Sequence, residues 1–177
     1  MTSLIDHLSK YASYHRDRRN IATHYVGIPM IVAAVVILLS RPAFTHADGV
    51  AITPGLIVAI IAAGYYLRLD LKLGLAMAAF LMFCLWLGQL FAVQSTMVWL
   101  TWGIGLFVVG WVFQFVGHYY EGKKPAFVDD IMGLAIGPIF VAAELAFEFG
   151  LRKDVQDAIE ARVGPTLIRN LKPASAS

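Results

Sequence analysis

The sequence predicts an all-α integral membrane protein: a helical bundle of about four transmembrane helices, a fifth apolar segment that re-enters or lies at the membrane surface, and a C-terminal amphipathic helix. Three observations carry that prediction. Of 177 residues, 59% are hydrophobic and only 15% are charged, whereas a soluble domain carries about 25% charge. The apolar residues are gathered into long blocks instead of recurring at the spacing of a soluble core. The basic residues fall between those blocks, and their distribution selects one way of threading them through a bilayer.

The opening residues form a polar arm with Lys10, Arg16, Arg18 and Arg19, so no cleavable signal peptide is expected. The first span covers 25–41 and begins YVGIPMIVAAVVILLS; the second, VAITPGLIVAIIAAGYYL, starts at residue 50 and ends at 67. The third and fourth, 71–93 and 97–117, are long enough to cross ~30 Å of hydrocarbon. Segment 131–150 is apolar too, but it contains Pro138, Glu144 and Glu148, and carboxylates are costly at bilayer depth. With four spans, every Lys and Arg except Arg41 lies on the cytoplasmic side. A fifth span would carry Arg152, Lys153, Arg162, Arg169 and Lys172 across with it. The positive-inside rule therefore favours four spans with both termini cytoplasmic. Residues 152–171 alternate charge with aliphatics at helical spacing, as a surface helix does, and LKPASAS reads as a frayed tail. The whole, 1–177, is read as one transmembrane helical domain.

Several function classes are excluded. A formal charge of +2 is too small to argue for nucleic acid. The single cysteine, Cys84, allows no disulfide framework. No P-loop, GxGxxG, GxSxG or HExxH motif is present, so nucleotide, acyl-serine and zincin chemistries have no support.

The threading gathers polar groups at one membrane face. His7, His15, His24 and His118 all fall on the cytoplasmic side, and only His46 lies across. Gln114, His118 and Glu121 follow i, i+4, i+7 and share one helical stripe. Gly103, Gly110 and Gly117 recur every seven residues on a neighbouring stripe suited to close helix packing. His15 and His24 stand nine residues apart, on opposite faces of an unbroken helix, so joint binding of one ion requires the chain to turn between them. NIATH, with Thr23 as a cap for the first span, is the candidate for that turn. On spacing alone, a metal site and a set of interfacial hydrogen-bonding histidines are equally supported. Lys123 and Lys124 read either as positive-inside charge or as receptors for a substrate carboxylate.

Two stretches carry a family resemblance. YHRDRRNIATHYVGIP (14–29) and FQFVGHYYEGKKPAFVDDIMGLAIGPIFVAAE (113–144) resemble the Mpo-like membrane proteins, the 2-hydroxy fatty acid dioxygenase family. The first pattern is met by Tyr14, His15, Asn20, His24, Gly27 and Pro29. The second is met by Gln114, Phe115, Gly117, His118, Glu121, Gly122, Pro125 and Ala126, with Glu121 and Gly122 one position early, and Pro138 and Glu144 complete it. The resemblance implies an iron(II)-dependent dioxygenase (cofactor Fe2+) that uses O2 to shorten a long-chain 2-hydroxy fatty acid by one carbon with release of CO2. It implies His15, His24 and His118 as metal ligands, with Asn20, Glu121 and Glu144 in the catalytic set and Glu121 or Glu144 as a further ligand or as a group that orients the ligands. Lys123, Lys124 and Gln114 are the candidate substrate-binding residues, and the lipid bilayer is the setting. The compact chain leans towards a bacterial inner membrane, or the endoplasmic reticulum if the source is eukaryotic. A zinc-dependent membrane hydrolase and a non-catalytic lipid-binding protein are the rival readings; a di-iron desaturase would need more than the five histidines present.

Overall fold

The computed structural model describes residues 3–47 and 50–168. Along them run α1 (Leu4–Ala12), α2 (Arg18–Ser40), β1 (Thr45–Ala47), β2 (Val50–Ile52), α3 (Pro54–Leu69), α4 (Leu71–Ala92), α5 (Thr96–Glu121), a 3-10 turn (Ala126–Val128), α6 (Met132–Glu148) and α7 (Lys153–Val163). The fold is the all-α membrane fold that composition predicts. Helices α2, α4 and α5 are each long and apolar enough to cross a membrane.

The second expected span starts later than its hydropathy implies. Val50–Ile52 pairs antiparallel with Thr45–Ala47, with Thr45 opposite Ile52. Thr53 then caps α3 through its side chain and Pro54 occupies the first turn, where a missing N–H costs nothing. What remains is a 16-residue apolar helix, about 24 Å long at 1.5 Å per residue.

Two compact units divide the chain, Met1–Val26 with Phe113–Ser177, and Gly27–Val112. Within the second, α3 and α4 form a tight hairpin on a single linking residue. The Asp70 N–H closes α3 on the Tyr66 carbonyl, and the Asp70 carboxylate caps α4 by accepting from the Leu73 N–H at 2.9 Å. The link is this short because Gly74 lets the helices meet: a Cβ there would come within 2.7 Å of the Leu67 nitrogen. A small core of Ala33, Val36 and Cys84 is packed by Val32, Phe80 and Leu85. The glycine stripe of α5 meets α2, as its spacing predicts. A Cβ on Gly110 would stand 2.9 Å from the Gly27 carbonyl oxygen, and the Trp99 indole donates to the Ile37 carbonyl at 2.9 Å.

In the other unit, α1 opens with a reciprocal capping box between Ser3 and Asp6. Leu4, Leu8, Tyr11 and Ala12 are buried on the face of α1 that meets α6 and α7. From α6 come Ile136, Ile139 and Phe140, and from α7 Val155 and Ile159, one helical turn apart. Helix α6 ends in a Schellman motif: Gly150, at φ +70°, places its own N–H on the Phe147 carbonyl and the Leu151 N–H on that of Ala146. With Arg152 also at positive φ, the chain bends by 111° into α7. The expected amphipathic helix over 152–171 is therefore α7, which stops at Val163 where Gly164 adopts φ +83°. Arg169, Lys172 and the LKPASAS tail lie outside the described residues, as does the His46 side chain.

Candidate metal centre

Helix α1 stops at Ala12 because the chain tightens: the Tyr14 N–H reaches the Tyr11 carbonyl and the His15 N–H that of Ala12. Two residues later Asp17 starts α2 as its N-cap, with Oδ1 accepting from the Arg19 N–H at 2.9 Å. The turn that brings His15 back to His24 is thus Ser13–Asp17. NIATH does not make it. Those residues lie inside α2, and the Thr23 hydroxyl, instead of capping, donates back to the Asn20 carbonyl at 2.7 Å. Asp17 signals this start more strongly than Thr23 does, since a carboxylate at the cap also meets the positive end of the helix dipole.

The turn brings three imidazoles together. One ring nitrogen from each of His15, His24 and His118 lies within 4.8 Å of the other two, and all three residues are buried. His15 Nδ1 stands 2.8 Å from the Tyr11 carbonyl oxygen and His24 Nδ1 2.9 Å from that of Asn20. A carbonyl only accepts, so both rings carry their proton on Nδ1. Their Nε2 atoms, 3.1 Å apart, consequently face each other as two lone pairs. That contact repels unless a cation lies against both nitrogens. A bridging proton would leave a charged imidazolium with almost no exposure, and burial, reinforced by the charges of His24, His118 and Arg16, holds the His15 pKa well below its usual 6.5. His15 and His24, neutral, locked by backbone hydrogen bonds and meeting through their Nε2 lone pairs, are in the form in which histidine binds transition metals. The donor set fits a metal ion.

The surroundings hold the rings in place. Tyr11 stacks on His15 with ring centroids 4.2 Å apart, and Phe140 lies against both. Gly117, next to His118, admits α2: a Cβ there would overlap the Thr23 hydroxyl and the Asn20 side-chain oxygen. Sequence reasoning missed Tyr11, although its i, i+4 spacing to His15 on a helical turn was visible.

The remaining candidates have other placements. Glu121 is buried, and its Oε2 accepts from the Arg16 N–H (2.9 Å), the Asp17 N–H (2.7 Å) and the Asn20 amide (3.1 Å). It ties the Ser13–Asp17 turn to the end of α5. Asn20 also donates to the Tyr14 carbonyl at 3.3 Å. Glu144 is buried and pairs with Arg16 Nη2 at 3.1 Å. Neither carboxylate is part of the histidine trio. Gln114 is buried one turn before His118, and its Nε2 has no hydrogen-bond partner. Lys123 is exposed and donates to the Ser13 carbonyl at 2.8 Å, while Lys124 pairs with Asp129.

Comparison with known families decides the kinship. The family model described as 2-hydroxy-palmitic acid dioxygenase Mpo1-like matches residues 1–149. The chain belongs to that family. It is also similar to the 2-hydroxy-palmitic acid dioxygenase MPO1 of Saccharomyces cerevisiae, at 29% identity over 164 residues, covering 90% of this chain and 89% of the yeast protein. All three histidines of the trio fall within the matched residues. No solved structure is significantly similar.

Proposed function

We propose that the protein is a membrane dioxygenase that shortens long-chain 2-hydroxy fatty acids by one carbon, using iron(II) held by His15, His24 and His118. The observation that carries the proposal is the pair of lone pairs meeting between His15 Nε2 and His24 Nε2, with the His118 ring beside them. Kinship with a 2-hydroxy-palmitic acid dioxygenase supplies the substrate class. Iron(II), held by these three neutral imidazoles, would supply O2 binding and electron transfer. The reaction balances without another co-reactant: the 2-hydroxy acid and O2 give the acid one carbon shorter, CO2 and water, with four electrons passing from the substrate to O2.

This chain's residues prepare the site. The Tyr11 and Asn20 carbonyls hold the Nδ1 protons of His15 and His24 and so keep both Nε2 atoms available. Glu121 acts through the turn it anchors, as an orienting group. Gln114 Nε2 would donate to the substrate's 2-hydroxyl or carboxylate, a role supported by its being buried and unpartnered on the His118 stripe. Lys123 uses one of its three N–H donors on Ser13, leaving capacity for an arriving carboxylate. The apolar helices keep the acyl tail in hydrocarbon while its reacting end reaches the histidines.

The test is purified protein with iron(II) in air, given 2-hydroxypalmitic acid, with pentadecanoic acid sought by mass spectrometry. Product from wild type and none from His118→Ala is expected. Iron bound without product would reassign the substrate. A trio of imidazoles without a carboxylate also suits a catalytic zinc ion, so hydrolysis of an ester or amide lipid under strict anaerobiosis, with 2-hydroxypalmitic acid left unchanged in air, would move the protein to the hydrolases.

A further inference from the structure

Arg16 was no candidate on sequence grounds, yet its groups meet distant parts of the unit around His15. Its Nε–H lies 3.0 Å from both the Ala12 and His15 carbonyl oxygens. Its Nη1 donates to the Gly164 carbonyl at 3.0 Å and its Nη2 to Glu144 at 3.1 Å. The guanidinium is planar and rigid, so fixing its two terminal nitrogens fixes the direction of Nε and the two carbonyls it holds.

The main chain of Arg16 is held from the same side. The Leu167 N–H donates to the Arg16 carbonyl at 2.8 Å, and the Arg18 N–H donates to the Leu167 carbonyl at 3.1 Å. These bonds form a parallel bridge between Asp17 and Leu167. Gly164, at φ +83°, turns the chain out of α7 into this strap. Leu167 and Ile168 are largely exposed, so the strap contributes backbone groups to the turn and little apolar burial.

We infer that Arg16 and the strap Gly164–Leu167 are a positioning device that sets the His15 ring for metal binding. The inference rests on the proposal that His15 is a ligand. His15 leaves the turn one residue before Arg16, and its ring has to meet two partners at once. Loosening the strap lets the His15 carbonyl drift and moves Nε2 off the common point. Groups that orient ligands in this way typically matter about 10- to 100-fold in metal affinity.

The experiment uses the full chain in detergent with cobalt(II) as the probe, reading affinity and the ligand-field absorption spectrum. Leu167→Pro removes the N–H that holds the Arg16 carbonyl. Leu167→Ala removes only an exposed side chain, and Arg16→Lys keeps the charge without the planar fork. Leu167→Pro and Arg16→Lys are expected to weaken cobalt binding about 10- to 100-fold and to shift the spectrum, with Leu167→Ala like wild type. A lowered unfolding temperature with wild-type affinity and spectrum would assign the strap a purely structural role and overturn the inference. Wild-type protein that binds no cobalt would instead remove the metal proposal itself.

Discussion

His15 and His24 place their Nε2 atoms 3.1 Å apart while each commits Nδ1 to a backbone carbonyl. Two neutral rings in that relationship are held against their own repulsion by the surrounding protein. Under the proposed function, a metal ion seated between the two nitrogens would relieve that repulsion.

Metal should accordingly stabilise the fold, and each ligand should be needed. One metal per chain is expected by elemental analysis, falling to near zero in His15→Ala, His24→Ala and His118→Ala. At a free metal concentration a hundredfold above Kd, wild type should gain about 2.7 kcal/mol of stability. A variant of the trio that keeps full metal content would remove that residue from the site.

Acid should destabilise the metal-free protein. Burial holds the folded His15 pKa well below 6.5, so below that value the unfolded chain binds a proton that the folded chain refuses. The stability associated with neutral His15 is fully present above about pH 6.5 and is lost as pH falls from there towards the lower folded value. Chemical unfolding midpoints at a series of pH values should be flat above 7 and decline through 6. A midpoint that rises on acidification would contradict the buried, neutral assignment.

The Arg16–Glu144 pair should tolerate loss of its carboxylate poorly. Both side chains are at most 10% exposed, and removing one partner of a buried pair costs about 3–5 kcal/mol because the other charge is stranded. Glu144→Ala should show that loss in equilibrium unfolding, and Glu144→Gln, which keeps an acceptor for Nη2, should lose less. Equal effects would mean that the charge itself is what Arg16 requires.

Close packing beside His118 gives a fourth test. A methyl group at Gly117 collides with Thr23 and Asn20, whereas one at Gly105 meets nothing within 4 Å. Gly117→Ala should cost about 1–3 kcal/mol and weaken metal binding, and Gly105→Ala should do neither. Similar behaviour of the two would show that α2 and α5 can shift apart without disturbing the trio.

Membrane character was legible because it depends on composition and block length, which tertiary contacts do not change. The glycine stripe was legible for a related reason: a seven-residue recurrence on a helix fixes a face wherever that helix lies. Boundaries were less so. Val50–Ile52 is as apolar as the helix that follows it, and only pairing with Thr45–Ala47 and the Thr53 cap show where α3 begins.

What the sequence by itself determined was an apolar helical chain with histidines and carboxylates in two motifs, enough to place its family and to single out His15, His24 and His118 as candidates. Spacing could not bring His15 to His24, because nine residues of continuous helix would separate them. Tertiary structure made that decision by ending α1 at Ala12 and restarting at Arg18, with Asp17 as cap and Glu121 accepting from the turn's amides. It also decided the work of Arg16, whose partners Gly164 and Glu144 lie 148 and 128 residues away. A hydrogen bond at such separation leaves no periodicity in the chain, since it depends on which acceptor the fold turns towards which donor.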